Sequence, residues 1–176
     1  MQSGRIYAGR YSSRFTSNGG GWYERSCAYK RIIPSSDLSA QGLFYVSRSG
    51  ISDNNDRFFF IVFRAGTSNL AYAGWRRING VTRWCLTMRD GAGYVNVYSS
   101  ARPVPSRWYM VQLSWIDDST TGLGELWANV VRVCIARGRN TAAYGNANAV
   151  RFGLPELYSC RRTTIYYDNC RITTPT

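Results

Sequence analysis

Residues 107–130 read RWYMVQLSWIDDSTTGLGELWANV, and the alternation in the first half decides the class of fold. In an extended chain Tyr109, Val111, Leu113 and Trp115 lie on one side, and Trp108, Met110, Gln112 and Ser114 on the other. That is the period of a strand with one face toward a core. The middle, residues 117–124, reads DDSTTGLG, types that accept turn conformations or bond their own backbone, so the chain reverses there and returns as GELWANV. The predicted element is a hairpin with a long loop, its tryptophans 108, 115 and 127 packing in the core or against the sheet.

Working outward, the same signals recur and helix signals are almost absent. Strands are predicted over 22–33, 42–48, 57–64, 70–77, 81–89, 94–98, 107–116, 124–128, 130–136, 149–153 and 164–172. Clusters such as SNGGG, SGISDNN, GTSN, ING and DGAG punctuate them, and 139–148 reads as a long surface loop. The run FFFIVF at 58–63 does not alternate; it is expected to lie centrally, covered on both faces, because exposed phenylalanines would otherwise face water. Eleven short strands with regular punctuation predict an all-β, single-domain antiparallel β-sandwich over residues 1–176.

Length and composition agree. A 176-residue chain with 44% hydrophobic and 15% aromatic residues buries roughly 70% of the surface it exposes when unfolded. No apolar run approaches the ~20 residues that span a bilayer. The amino-terminal MQSGRIYAGRYSSRF has no apolar segment or small-residue cleavage site, so it is not read as a secretory signal. Five cysteines include no C-x-x-C pair and histidine is absent, which argues against a zinc site. The odd count leaves at least one thiol unpaired in a monomer. The net charge is +12, and all 22 basic residues but Lys30 are arginine; charge of this size favours anionic partners such as acidic glycans, phosphates or the surface of an assembly. Charge and aromatics also suit nucleic acid, but no RNA-binding motif accompanies them, so it ranks below glycans and protein partners.

The carboxy-terminal succession RWYMVQLSWID, GELWANVVRV, AVRFGL, TTIYYDNCRI resembles the concanavalin A-like superfamily, particularly its laminin G-like and pentraxin-like jelly rolls. Those folds run from a Trp-led strand through a hairpin return to a short strand ending in Gly and a last strand with an Asp-Asp or Asp-Asn pair. The match covers 107–172; upstream strands fit by number and length. Asn129-Val130 departs from the Asp-Gly that such folds often carry, so that turn must be built differently. The resemblance implies that the first and last strands pair, which would bring Cys27 to Cys170 as a disulfide, in competition with Cys160 to Cys170.

Retaining glycoside hydrolysis needs two carboxyls ~5 to 5.5 Å apart, two or four positions apart on a strand face. Asp117 and Asp118 are adjacent in a turn, Asp53 and Asp56 sit in a polar loop, and Glu24, Glu125 and Asp168 stand alone. Jelly-roll polysaccharide lyases need a Tyr or His to move protons and an Arg or Gln to neutralise a uronate; thirteen tyrosines and many arginines keep this open. The oxygen-rich SDNND at 52–56 lacks a bidentate Glu, so no metal or other cofactor is expected. The expectation from sequence is therefore a non-catalytic lectin-like binding or adhesion module. A structural or decoration subunit of a virus particle or other extracellular assembly is the alternative, and a polysaccharide lyase or glycoside hydrolase the second. An extracellular surface or virion location suits the first two, with self-assembly or partner subunits. The expected contact surface is AYAGWRRINGVTRW, with Tyr72, Trp75, Arg76, Arg77 and Arg83 around one tight turn, aromatic faces for sugar rings and guanidinium forks for acidic groups.

Overall fold

The computed structural model describes Tyr7 and residues 12–174. Its strands are β1 (Ser13–Thr16), β2 (Tyr23–Ser35), β3 (Asp37–Arg48), β4 (Arg57–Ala65), β5 (Ser68–Ile78), β6 (Val81–Asp90), β7 (Gly93–Tyr98), β8 (Trp108–Ile116), β9 (Gly122–Ala128), β10 (Val131–Arg139), β11 (Ala147–Tyr158) and β12 (Thr164–Thr173). One short 3-10 turn, Ala142–Tyr144, interrupts the predicted loop. The strands form two antiparallel six-stranded sheets, ordered β1-β12-β3-β8-β9-β10 and β2-β11-β4-β5-β6-β7. This is the jelly-roll β-sandwich expected. All eleven predicted strands are present, most extended by a few residues. β1 is the addition: SRFT is too short to show a period, and its pairing with β12 (Ser13 opposite Tyr167) defines it. Most of the amino-terminal stretch read as lacking a signal lies outside the described residues. Among the described residues no helix is long and apolar enough to cross a membrane.

The hairpin 107–130 takes the predicted form. Val111, Leu113 and Trp115 face the other sheet and are fully buried, while Gln112 and Ser114 bond Ser39 on the outer face. Of the three tryptophans Trp115 is core, while Trp108 and Trp127 are half-buried on that outer face, where strand alternation puts them against the sheet, Trp108 with its ring 5.5 Å from that of Tyr45. Asp118 belongs to the loop fabric; Thr120 and Thr121 donate backbone N–H groups to its carboxylate at 2.7 and 2.6 Å, which holds its pKa down at about 2. The turn lacking Asp-Gly is built from Asn129 and Val130 at φ 49° and 62°, a two-residue left-handed reversal that normally selects Asn-Gly. The Ile-Asn-Gly turn places Asn79 and Gly80 at φ 49° and 76°.

Aromatic rings fill the space between the sheets. Trp75 packs against Phe58, Phe60 and Trp84 with centroids 5.4, 5.6 and 5.7 Å away. The run FFFIVF lies inside its sheet, between β11 and β5, and is buried throughout. A bulge between Phe59 and Ile61 sends Phe58, Phe60, Ile61 and Phe63 into the core and leaves Phe59 and Val62 on the opposite face, where they cluster with Tyr72 and Tyr158. Among the described residues no third layer covers that face. Its burial therefore marks a furrow in the outer surface of the β4 sheet.

The disulfide expectation is corrected. All five cysteines are free thiols. β12 pairs with β1 and β3, so the place beside the last strand that the resemblance gave to the Cys27 strand is taken by the unforeseen β1. Cys27 sits in the other sheet, beside β11, with burial the leading cause of its raised pKa.

Candidate active site

Strand register lines up the furrow. Tyr23 lies opposite Tyr158, Tyr158 opposite Arg57, Arg57 opposite Arg76, and Arg76 opposite Arg83, one row across β2, β11, β4, β5 and β6. Farther along the strands a second row runs Tyr29, Arg151, Val62, Tyr72, Thr87, Asn96. Between them a cleft of about 150 Å³ is lined by Arg57, Phe59, Tyr72, Arg76, Tyr94, Asn96, Glu156 and Tyr158.

Glu156 is the carboxylate of this cleft. It is 2% exposed and accepts the Tyr158 hydroxyl at 2.7 Å and the Asn69 side-chain amide, with the Arg25 guanidinium 3.8 Å away. A buried carboxylate with three donors around it is satisfied rather than orphaned. Burial raises the pKa of Tyr158, and its hydrogen bond to Glu156 and that group's charge raise it further, so the phenol keeps its proton at neutral pH. Arg57 stacks on the Tyr158 ring, its guanidinium carbon 4.0 Å from the centroid. Arg76 donates to Asn55 at 2.9 Å, and its buried Nε has no partner among the described residues. On the floor Tyr72 is pushed far above the ordinary phenol range, first by burial and then by Glu156; its hydroxyl stands 3.5 Å from that of the exposed Tyr94. Thr87 donates to the Asn96 carbonyl oxygen at 2.7 Å, leaving the Asn96 amide hydrogens as donors for the cleft.

Three other carboxylates do structural work. Glu24 gathers the backbone N–H groups of Asn18 to Gly21 at 2.7 to 3.2 Å. Asp56, in the loop with the look of a calcium site, accepts the N–H groups of Ser52 and Asp53 at 2.9 Å. Glu125 pairs with Arg132 at 2.8 Å on the opposite sheet.

The structure divides the contact surface expected from sequence. Tyr72 and Arg76 line the cleft. Arg83 extends the arginine row, its guanidinium donating to the Ser99 carbonyl at 2.9 Å. Trp75 is a correction: at 0% exposure it presents no face to a sugar, because alternation along β5 turns it inward when Arg76 turns outward. Arg77 falls on the same side of the strand as Trp75, where β5 ends and its backbone bonds Asn55 and Asp56. Sequence reasoning passed over Glu156, Tyr158, Arg57, Tyr94 and Asn96. The signal was present in ELY at 156–158 and YVN at 94–96, each putting two polar groups on one strand face; only the pairing of β11 with β4 brings Tyr158 to Arg57.

No protein-family model matches the chain, and no curated protein matches its sequence. Solved structures match its fold. The cellulose-induced protein Cip1 superposes with a TM-score of 0.70 at 14% identity, over 98% of this chain and 84% of that one. The alginate lyase AlyC3 gives 0.66 at 8% identity, over 92% and 74%. An alginate lyase from Pseudomonas aeruginosa gives 0.64 at 13% identity, over 96% and 88%. At such identities the likeness establishes the jelly-roll sandwich. It also corrects the expectation of a non-catalytic lectin-like module, and with it the expectation that the chain is not an enzyme: the folds that resemble it are mostly those of polysaccharide lyases, and the outer face carries a cleft rather than a flat platform.

Proposed function

We propose that the protein is a polysaccharide lyase that cleaves an acidic glycan by β-elimination at a uronate unit. The observation that carries this reading is the juxtaposition of Tyr158, hydrogen-bonded to buried Glu156, with Arg57 and Arg76 in one register row of an open cleft. Removing the proton on the carbon beside a uronate carboxylate is difficult because the carboxylate is already negative. Arg57 and Arg76 offset that charge and stabilise the enolate that develops; the unpartnered Nε of Arg76 and the amide of Asn96 supply further donors. The Tyr158 oxygen takes the C5 proton as its own proton passes along the 2.7 Å bond to Glu156. The electron pair of the broken C–H bond forms the C4–C5 double bond, and the bond from C4 to the bridging oxygen breaks. The proton returns from Glu156 through Tyr158 to that oxygen. Tyr72, held protonated, donates from the floor. The net charge of +12 favours a polyanionic substrate, and AlyC3, of similar fold, has been solved with dimannuronate.

The test is incubation with alginate, polyglucuronate, polygalacturonate and glycosaminoglycans, following ultraviolet absorbance of unsaturated uronate ends. The expected result is absorbance growth on at least one polyuronate, slowed about 10²–10⁴-fold in Tyr158→Phe. New reducing ends without unsaturation, or full activity in Tyr158→Phe, would overturn it.

A further inference from the structure

The outer face holds a second group of cations that the elimination step does not use. Arg151 on β11, Arg64 on β4 and Arg25 on β2 lie on the far side of Glu156 from Arg57 and Arg76 in the strand direction or flank it. Arg64 and Arg25 are tied down: Arg64 donates to the Asn69 side chain at 2.8 Å and the Thr67 carbonyl at 2.6 Å, and Arg25 to the Pro155 carbonyl at 3.0 Å and the Tyr23 hydroxyl. Arg151 is different. It is half-buried, its Nη1 is fully buried without a hydrogen-bond partner among the described residues, and the centroid of the Tyr29 ring lies 5.8 Å away. Burial, then the like charges of Arg25 and Arg64, lower its pKa, and Cys27 and then Glu156 only partly offset them. A partly buried guanidinium with an unpaired N–H and like charges beside it gains from an anion that joins it.

We infer that Arg151, backed by Arg64 and Arg25, forms an anion subsite for the carboxylate of an acidic unit beyond the two joined at the cleaved bond, five residues along β4 from the Arg57 row and so roughly 16 Å away, so that the groove selects runs of uronates over short ones. This rests on the reading of the groove as a lyase site. It adds that recognition extends beyond the unit that reacts, with Arg57 and Arg76 holding one carboxylate and Arg151 another. A guanidinium fork suits a carboxylate because both are planar and can form two parallel bonds. Val62, fully buried beside Arg151 in register, keeps the floor apolar and strengthens the pairing by excluding water.

Binding measured by calorimetry, apart from turnover, tests it with wild type, Arg151→Gln and Arg151→Lys against polyuronate oligomers from disaccharide to hexasaccharide and a neutral hexasaccharide. Thermal melts first establish that each variant is folded. The expected result is that Arg151→Gln weakens hexasaccharide binding about tenfold while disaccharide binding is unchanged, that Arg151→Lys recovers part of the loss, and that the neutral oligomer binds weakly to all three. Equal hexasaccharide affinity in wild type and Arg151→Gln overturns the subsite, as does an equal loss for short and long oligomers, or the absence of any oligouronate binding by the wild type. Binding that depends on Arg151 without any elimination would sink the lyase reading and leave the subsite standing.

Discussion

Replacing Trp75 by alanine separates the buried role of this residue from the sugar contact its sequence context suggests. Its ring is fully buried, packed among Phe58, Phe60 and Trp84, with Tyr109 6.3 Å away. Truncating such a ring removes its transfer free energy and leaves a cavity, together about 3–5 kcal/mol. The indole Nε1 has no partner among the described residues, and removing that buried donor offsets about 1 kcal/mol. The expected loss is therefore about 2–4 kcal/mol, a large share of the roughly 5–15 kcal/mol that holds a domain folded. For a chain of this length that lowers Tm by roughly 4–16 °C. Equilibrium denaturation of Trp75→Ala beside Arg76→Ala is the assay. Arg76→Ala is expected to change stability by no more than about 1 kcal/mol while weakening polysaccharide binding. The reasoning is refuted if Trp75→Ala loses less than about 1 kcal/mol and its main effect is on binding.

Two further outcomes follow from the loops. Val130 sits at φ 62° and is 84% exposed, so Val130→Gly relieves left-handed strain of roughly 1–2 kcal/mol without losing burial. After the greater flexibility of unfolded glycine, a net gain of about 1 kcal/mol is expected in chemical denaturation; a loss of stability would contradict the turn geometry. The pKa of Asp118 is lowered from 3.8 to about 2, and a depressed carboxylate stabilises the fold above its unfolded pKa and ceases to as pH falls through the folded one. The stability gap between wild type and Asp118→Ala should therefore be full above pH 3.8 and shrink toward pH 2, read from denaturation midpoints across that range; a gap independent of pH counts against the carboxylate as its source.

The sandwich was legible in the sequence because strand period, turn chemistry and apolar content are local properties. The alternation of 107–116, the unbroken FFFIVF and the Asn-Gly turn each report which backbone geometry their own residues tolerate. Even the furrow left a trace, since an apolar run on both faces of a strand needs cover on both. What the sequence could not disclose was which strands meet. Tyr158 and Arg57 are a hundred residues apart and become neighbours only because β11 inserts between β2 and β4; Glu156 becomes the carboxylate of the cleft because the register shift in β11 between Leu154 and Leu157 falls at its position. Cys27 and Cys170 fail to meet for the same kind of reason, a short β1 occupying the edge of β12. The sequence by itself determined strands, turns and the sign of the surface charge, which depend on neighbours along the chain. The tertiary structure alone decided the order of strands in each sheet, and so which tyrosine faces which arginine, because long-range pairing follows from the packing of the whole core and not from any local preference.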